Sequence, residues 1–270
     1  MWHQTISAIA VASILGGCAG SVHQLPTLDQ SNLNMAQTEV QAAGGAPVRH
    51  SVSDDDAVRT LDESLARIKP AATQLCREMA AGVCEWRFLK SNDRSMNAGA
   101  TTNGVIFINR GIIEYAANEE EVAMVIAHEI GHQSADHVAT GQRNQAIGSI
   151  VGAVLLGVLG AAASKNSRNG AAVTRSAMDV GSSVGGVIGR IFFSKEQERE
   201  ADYLSALILF RSGLGLDKAR GFLVTMARAS GRKETGMLDT HPAGPERLAA
   251  WDKAVAEIRA SNGALPKRAH

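Results

Sequence analysis

Apolar positions recur every three to four residues at Val58, Leu61, Leu65 and Ile68, the spacing of one buried helical face. Ser53 stands where a helix cap belongs, and Asp54, Asp55 and Asp56 fill the first turn, where the helix end favours negative charge. Pro70 is expected to end or kink this helix, with a second one running on to Gly82. The period then changes from 3.6 to 2. Cys84 to Lys90 alternates, with Trp86 and Phe88 on one face, and reads as a strand. Met96 to Ala100 and Val105 to Ile108 flank the turn Thr101-Thr102-Asn103-Gly104 and read as a hairpin. Gly111 to Ala117 is a short helix. Helical spacing returns at Val122, Val125, Ile126 and Ile130, with Asn118 and Glu121 as the start signal and Gly141 as the stop. Later helices are marked by Leu204, Leu207 and Ile208 within Ser194 to Arg211, and by Phe222, Leu223 and Met226 after Asp217. Leu248, Val255 and Ile258 mark a last one, from Glu246 to Ala260. The pattern predicts an α+β fold, mainly helical, with a small β-sheet and hairpin before the helix that starts at Glu119.

Composition narrows this picture. In 270 residues there is room for a substantial core. A net charge of zero gives no electrostatic reason to expect nucleic acid. Sparse aromatics, at 4%, with abundant Ala and Gly, favour closely packed helices over a β-sandwich.

The first residues carry a different signal. Ile6 to Leu15 is an uncharged, largely apolar run of export-signal length, although no Lys or Arg precedes it. It ends in Leu15-Gly16-Gly17-Cys18, which resembles a bacterial lipobox, so residues 1–17 are expected to be a lipoprotein signal peptide and Cys18 the site of lipid attachment. Ala19, in place of Asp, fits release to the outer membrane, with the protein lipid-anchored on its periplasmic side. Residues 18–52, polar and without a sustained period, are expected to form a flexible tether to the domain at 53–270. Export favours a disulfide between Cys76 and Cys84. Two segments rich in small residues, Ala146 to Ala163 and Val180 to Phe193, read as packed or membrane-touching helices ahead of a transmembrane hairpin.

The chemistry is concentrated in His128-Glu129-Ile130-Gly131-His132. On a helix, two histidines four apart lie one turn apart on the same face and can ligate one metal ion. Glu129, one step round, can reach a water at that metal. A catalytic site then needs a third ligand. One known spacing puts a third His six residues past His132 with a Gly midway, but those positions hold Val138 and Ala135. His137 misses by one, and on a continuous helix it leaves from another face, so it reads as a surface residue or a support behind a ligand. The other known spacing uses a Glu on a later helix with an Asp four residues on. Glu198 and Asp202 fit, but Glu196 and Glu200 also share a face, and spacing alone leaves the choice open.

Taken together, Asn97-Ala98, the His128–His132 segment, Ser194 to Asp202 and Thr240-His241-Pro242 with Arg247 resemble the family-48 zinc metallopeptidases. The resemblance runs from about Ser53 to the C-terminus, closest to the short bacterial periplasmic lipoprotein members without a tetratricopeptide tail. It implies a zincin-like fold and one zinc ion held by His128, His132 and Glu198. It also implies Glu129 as the base, Asp202 supporting a ligand histidine, and His241 and Arg247 near the reacting carbonyl. In some relatives the equivalent of His241 occupies the metal's open position. Asn97 and Ala98 would line up the substrate. The implied activity is zinc-dependent endopeptidase cleavage of misfolded or damaged envelope proteins; the implied alternative is a latent, chaperone-like binding module gated by His241.

Overall fold

The computed structural model describes residues 20–144, 193–229, 241 and 243–269. Positions 1–17 and Cys18 lie outside the described residues, as do 146–163 and all but the last residue of 180–193. Among the described residues no helix is long and apolar enough to cross a membrane.

The chain supplies helices α1 (Gln30–Ala43), α2 (Asp54–Met79), α3 (Arg110–Tyr115) and α4 (Glu119–Ser134). After the gap come α5 (Lys195–Arg211), α6 (Leu216–Ala219), α7 (Gly221–Ala229) and α8 (Pro245–Ala260). Between α2 and α3 lie β1 (Arg87–Ser91), β2 (Ala98–Ala100) and β3 (Val105–Asn109), in the order β1-β3-β2. The expected hairpin is there, with β2 antiparallel to β3, while β1 runs parallel to β3 on its other edge.

Everything is arranged around α4. Its sequence suggests an apolar stripe on one face, yet almost the whole helix is buried, because α5, α2, α6, α7, β2 and β3 surround it. The closest of these contacts, with α5, has a local cause. Gly131 faces Ala201, and a Cβ there would come within 3.1 Å of the Ala201 carbonyl oxygen and 3.2 Å of its Cα. Any side chain there would push the two backbones apart by a few tenths of an ångström, at the turn between His128 and His132.

Three expectations are corrected. Pro70 does not divide α2, which is one helix of 26 residues. The proline sits on the exposed side, and the buried residues Ile68, Ala72 and Leu75 on either side of it pack both halves of the helix against the core. The central helix does not run to Gly141. It stops at Ser134, Asp136 adopts a left-handed φ of 58°, and a new helical stretch occupies 137–144. Aspartate tolerates that conformation better than most residues. The third correction concerns the tether. Residues 20–52 are folded onto the domain, with α1 packed against α8 and α7. Its polar composition hides a short apolar side, where Leu33, Ala36 and Val40 meet the core. Arg220 then bridges Glu39 of α1 and Asp252 of α8.

Cys76 and Cys84 are joined as a disulfide, with Cα atoms 5.6 Å apart, tying the end of α2 to the approach to β1. A second tie is the buried Glu114 carboxylate, which receives Arg49, Arg94 and Arg110.

Candidate metal centre

α4 begins where the sequence places it, with the Asn118 side chain accepting from the Glu121 amide at 3.0 Å. α5 begins with a capping box between Ser194 and Gln197. These two starts fix the registers of the helices, and the close approach at Gly131 sets their separation. The result is that His128 and His132 from α4 meet Glu198 from the first turn of α5.

His241 joins them. One nitrogen or oxygen from each of His128, His132, Glu198 and His241 lies within 4.8 Å of every other, and all four residues are buried. His128 Nε2 is 3.1 Å from His132 Nε2 and 3.3 Å from His241 Nδ1. Glu198 Oε1 is 2.9 Å from His241 Nδ1 and 3.4 Å from His132 Nε2, while Glu198 Oε2 is 3.5 Å from His128 Nε2. Zinc takes four ligands tetrahedrally at about 2.0–2.1 Å, which puts neighbouring ligand atoms about 3.3 Å apart. The observed separations scatter around that value. Three imidazoles and one carboxylate are also the donor types zinc prefers. The residues fit the ion.

The outer faces of the donors are held as well. His128 Nδ1 lies 2.9 Å from Asp202 Oδ1. Arg247 grips both oxygens of Asp202, at 2.8 and 2.7 Å, and its Nη1 lies 2.8 Å from Glu198 Oε2. Phe193 lies against the His132 ring, with centroids 3.8 Å apart, and against His241 at 5.1 Å. Such an apolar cover strengthens every charge interaction inside it.

The protonation pattern is that of a cation site. Burial opposes a charge on His128, but hydrogen bonds with Asp202 and Glu198 outweigh it and push the ring up to about 9. Burial holds His132 well below its ordinary value. Burial also works against the Glu198 carboxylate, yet His241 and Arg247 keep it well below the usual range. Asp202 is lowered against its burial by Arg247. A proton and a metal compete for the same positive place in this cage.

Glu129 sits beside it. Its side chain is wholly buried, and neither carboxylate oxygen has a hydrogen-bond partner among the described residues. His241 Nε2 lies 3.5 Å from Oε1. Asn97 and Ala98 stand at the start of β2, the edge strand packed on α4.

Of the acidic alternatives left open by spacing, Glu196 is exposed, whereas Glu200 is buried but outside the cage. Glu200 instead contacts His137 and His23. Of the two alternatives the sequence left for His137, the structure shows the support behind a ligand, 3.1 Å from His132 Nδ1, whereas His23 carried no signal in the sequence. The break at Asp136 turns His137 inward, to 1% exposure, where a continuous helix would have carried it away.

A mainly helical domain with a small sheet, carrying paired histidines on one buried helix and a glutamate on the next, defines a zinc metallopeptidase domain. The profile of Peptidase family M48 matches residues 64–255, and the chain belongs to that family. It is 34% identical over 172 residues to the Beta-barrel assembly-enhancing protease of Escherichia coli (strain K12), a stretch covering 60% of this chain and 32% of that protein. With the Mitochondrial metalloendopeptidase OMA1 of Arabidopsis thaliana it shares 25% identity over 234 residues, 80% of this chain and 44% of the relative. With the Metalloprotease LoiP of Escherichia coli (strain K12) it shares 25% over 252 residues, 89% and 91% of the two chains. The chain spans less than half the length of the assembly-enhancing and OMA1 relatives.

Proposed function

We propose that the chain is a zinc-dependent endopeptidase of the bacterial cell envelope that hydrolyses peptide bonds of misfolded or damaged envelope proteins. The observation that carries this reading is Glu129, a buried carboxylate with no hydrogen bond among the described residues, set beside a four-donor cage. Burying a carboxylate without a hydrogen bond is costly. The cost is understandable where the group must stay free to handle a proton.

Zinc, when bound there, supplies a Lewis acid that activates water at neutral pH and polarises a peptide carbonyl. Glu129 takes the proton from the attacking water and passes it to the leaving amine. Asp202 keeps His128 turned with Nε2 toward the cage, and Arg247 fixes Glu198 and Asp202 together. Arg247 holds the ligand Glu198 and the support Asp202 together, and the role near the reacting carbonyl that the resemblance implies for it is kept as part of this proposal. β2 pairs with β3 alone among the described residues, so an extended substrate has its other edge to bind, beginning at Asn97 and Ala98.

The envelope setting rests on the lipobox-like Leu15 to Cys18 and on relatives named as assembly-enhancing proteases. We carry over from them a membrane anchor through Cys18 and polypeptide substrates that have failed to assemble.

One observation favours a second reading. His241 stands among the donor atoms, where it would fill the fourth ligand place of a bound zinc and leave none for water. In that position the site is latent, and the chain binds unfolded polypeptide without cutting it until His241 withdraws.

Casein cleavage by the wild type and by Glu129→Gln, with zinc content measured in both, tests the enzyme reading. The variant is expected to keep its zinc and lose roughly 100-fold or more of the cleavage rate. Equal cleavage by both proteins would remove Glu129 as the base.

A further inference from the structure

The cage holds two α4 histidines, and Asp202 supports one of them, His128. His132 has its own path to a carboxylate, and it runs through residues outside the motif. His132 Nδ1 lies 3.1 Å from His137 Nδ1, and His137 Nε2 lies 2.9 Å from Glu200 Oε2. Glu200 then meets the N-terminal segment. Its Oε2 accepts from the Val22 amide at 2.7 Å, and its Oε1 accepts from the His23 amide at 2.9 Å. His23 Nδ1 is 2.6 Å from the same Oε1. His23, His137 and Glu200 are 1%, 1% and 0% exposed, so no solvent substitutes for these contacts.

Proton positions along this path follow from chemistry. If His132 offers its Nε2 lone pair to the cage, its proton is on Nδ1 and points at His137. His137 accepts there with a bare Nδ1, so its own proton is on Nε2 and points at Glu200. Glu200, already supplied by the Val22 and His23 amides, receives it as a carboxylate. With neutral rings no other arrangement satisfies all three contacts. Every bond in the series polarises His132 toward greater basicity at Nε2.

We propose that His137 and Glu200 are positioning residues for the metal ligand His132, and that the docked segment at Val22 and His23 completes the metal centre by fixing Glu200. The proposal rests on the zinc reading of the cage. It gives α5 three acidic tasks at alternate positions: Glu198 enters the cage, Glu200 supports His132 through His137, and Asp202 supports His128. It also ties the site to the chain's N-terminal side. Gln24 and Val22 pair with Lys267 and Ala269, and Arg199 holds the Pro26 carbonyl at 2.6 Å, so the segment is clamped from both sides of Glu200.

The test is zinc affinity of the full-length chain, measured by competition with a chromophoric chelator, for the wild type, His137→Asn, His137→Leu, Glu200→Gln and His23→Ala. Asparagine keeps an acceptor near the place of Nδ1, whereas leucine fills the space with none. His137→Leu is expected to bind zinc roughly 10- to 100-fold more weakly, in line with loss of an outer support. His137→Asn should recover a clear part of that loss, and His23→Ala, which leaves both amide donors on Glu200, should lose less than His137→Leu. Melting temperatures of the zinc-stripped proteins report whether the variants still fold. If His137→Leu binds zinc within twofold of wild type, or if leucine outperforms asparagine, His137 is packing and the proposal is overturned. Should His137→Leu fail to fold, Glu200→Gln decides: affinity within twofold of wild type means the carboxylate behind His137 does nothing for His132 and overturns the proposal. A wild-type chain that takes up no zinc would bring down the zinc reading itself, a result distinct from either of these.

Discussion

Glu198 and Asp202 stand one turn apart on α5 and reach opposite nitrogens of a single ring, that of His128: Glu198 Oε2 at 3.5 Å from Nε2, and Asp202 Oδ1 at 2.9 Å from Nδ1. One carboxylate therefore points into the cage while the other fixes the tautomer of the imidazole it shares the cage with. That division of labour gives a direct expectation. Asp202→Ala should leave the fold in place and weaken zinc binding by roughly 10- to 100-fold. Equilibrium dialysis against zinc measures it. An unchanged affinity would mean that Arg247 alone is enough to hold the site.

His241 is the donor with the least anchorage in secondary structure, since it lies between α7 and α8 while the other three donors sit on helices. On the latent reading proposed above, it is the donor that withdraws. His241→Ala is expected to keep its zinc and to raise casein turnover by roughly threefold or more, because the open population no longer competes with a closed one. Steady-state rates on casein, with zinc content measured in parallel, check this. A fall in turnover at unchanged zinc content would give His241 a part in the reaction itself.

Glu114 offers a prediction outside the site. Its carboxyl is held below the ordinary 4.5; burial works against the charge, but Arg94 and Arg49 outweigh it. A carboxylate lowered on folding adds stability above its unfolded value and loses it as pH falls through the folded one. Glu114→Gln should therefore lower the melting temperature at pH 7 by roughly 2–4 °C, a small figure because Arg49 and Arg94 reach solvent and screen the pair. As pH falls below the unfolded value of 4.5 and on through the lowered folded one, the gap between variant and wild type should narrow and then close. Thermal melts from pH 3 to 7 read both effects. A gap independent of pH would assign the loss to packing.

Much of this architecture was legible in the sequence because its signals are local. Asn118 and Ser194 announce their helices through caps, and the hairpin is announced by alternation around Thr101 to Gly104. The ligand pair His128 and His132 follows from helical periodicity alone. What could not be read there depends on contacts distant in the chain. Choosing Glu198 over Glu196 required the family resemblance, since both lie on the same short stretch of acidic residues. The docking of α1 depends on Arg220 and Asp252, far along the chain, which no local window contains. His137 was hidden by a single backbone angle at Asp136. Glu200 stayed an undecided alternative because its partners, Val22 and His23, lie 178 and 177 residues away. A reader alert to aspartate in left-handed turns could have suspected the break, but nothing in the sequence pairs Glu200 with His23.

The convergence of α4 and α5 on one ion is the claim that all the rest depends on, and metal content tests it most directly. Wild-type chain, stripped and reloaded, should hold one zinc per molecule by elemental analysis after exhaustive dialysis. Glu198→Ala under the same treatment should retain well under half of that, since a carboxylate is lost from the ligand set. Equal zinc in the two proteins, or none in the wild type, would contradict the cage described here.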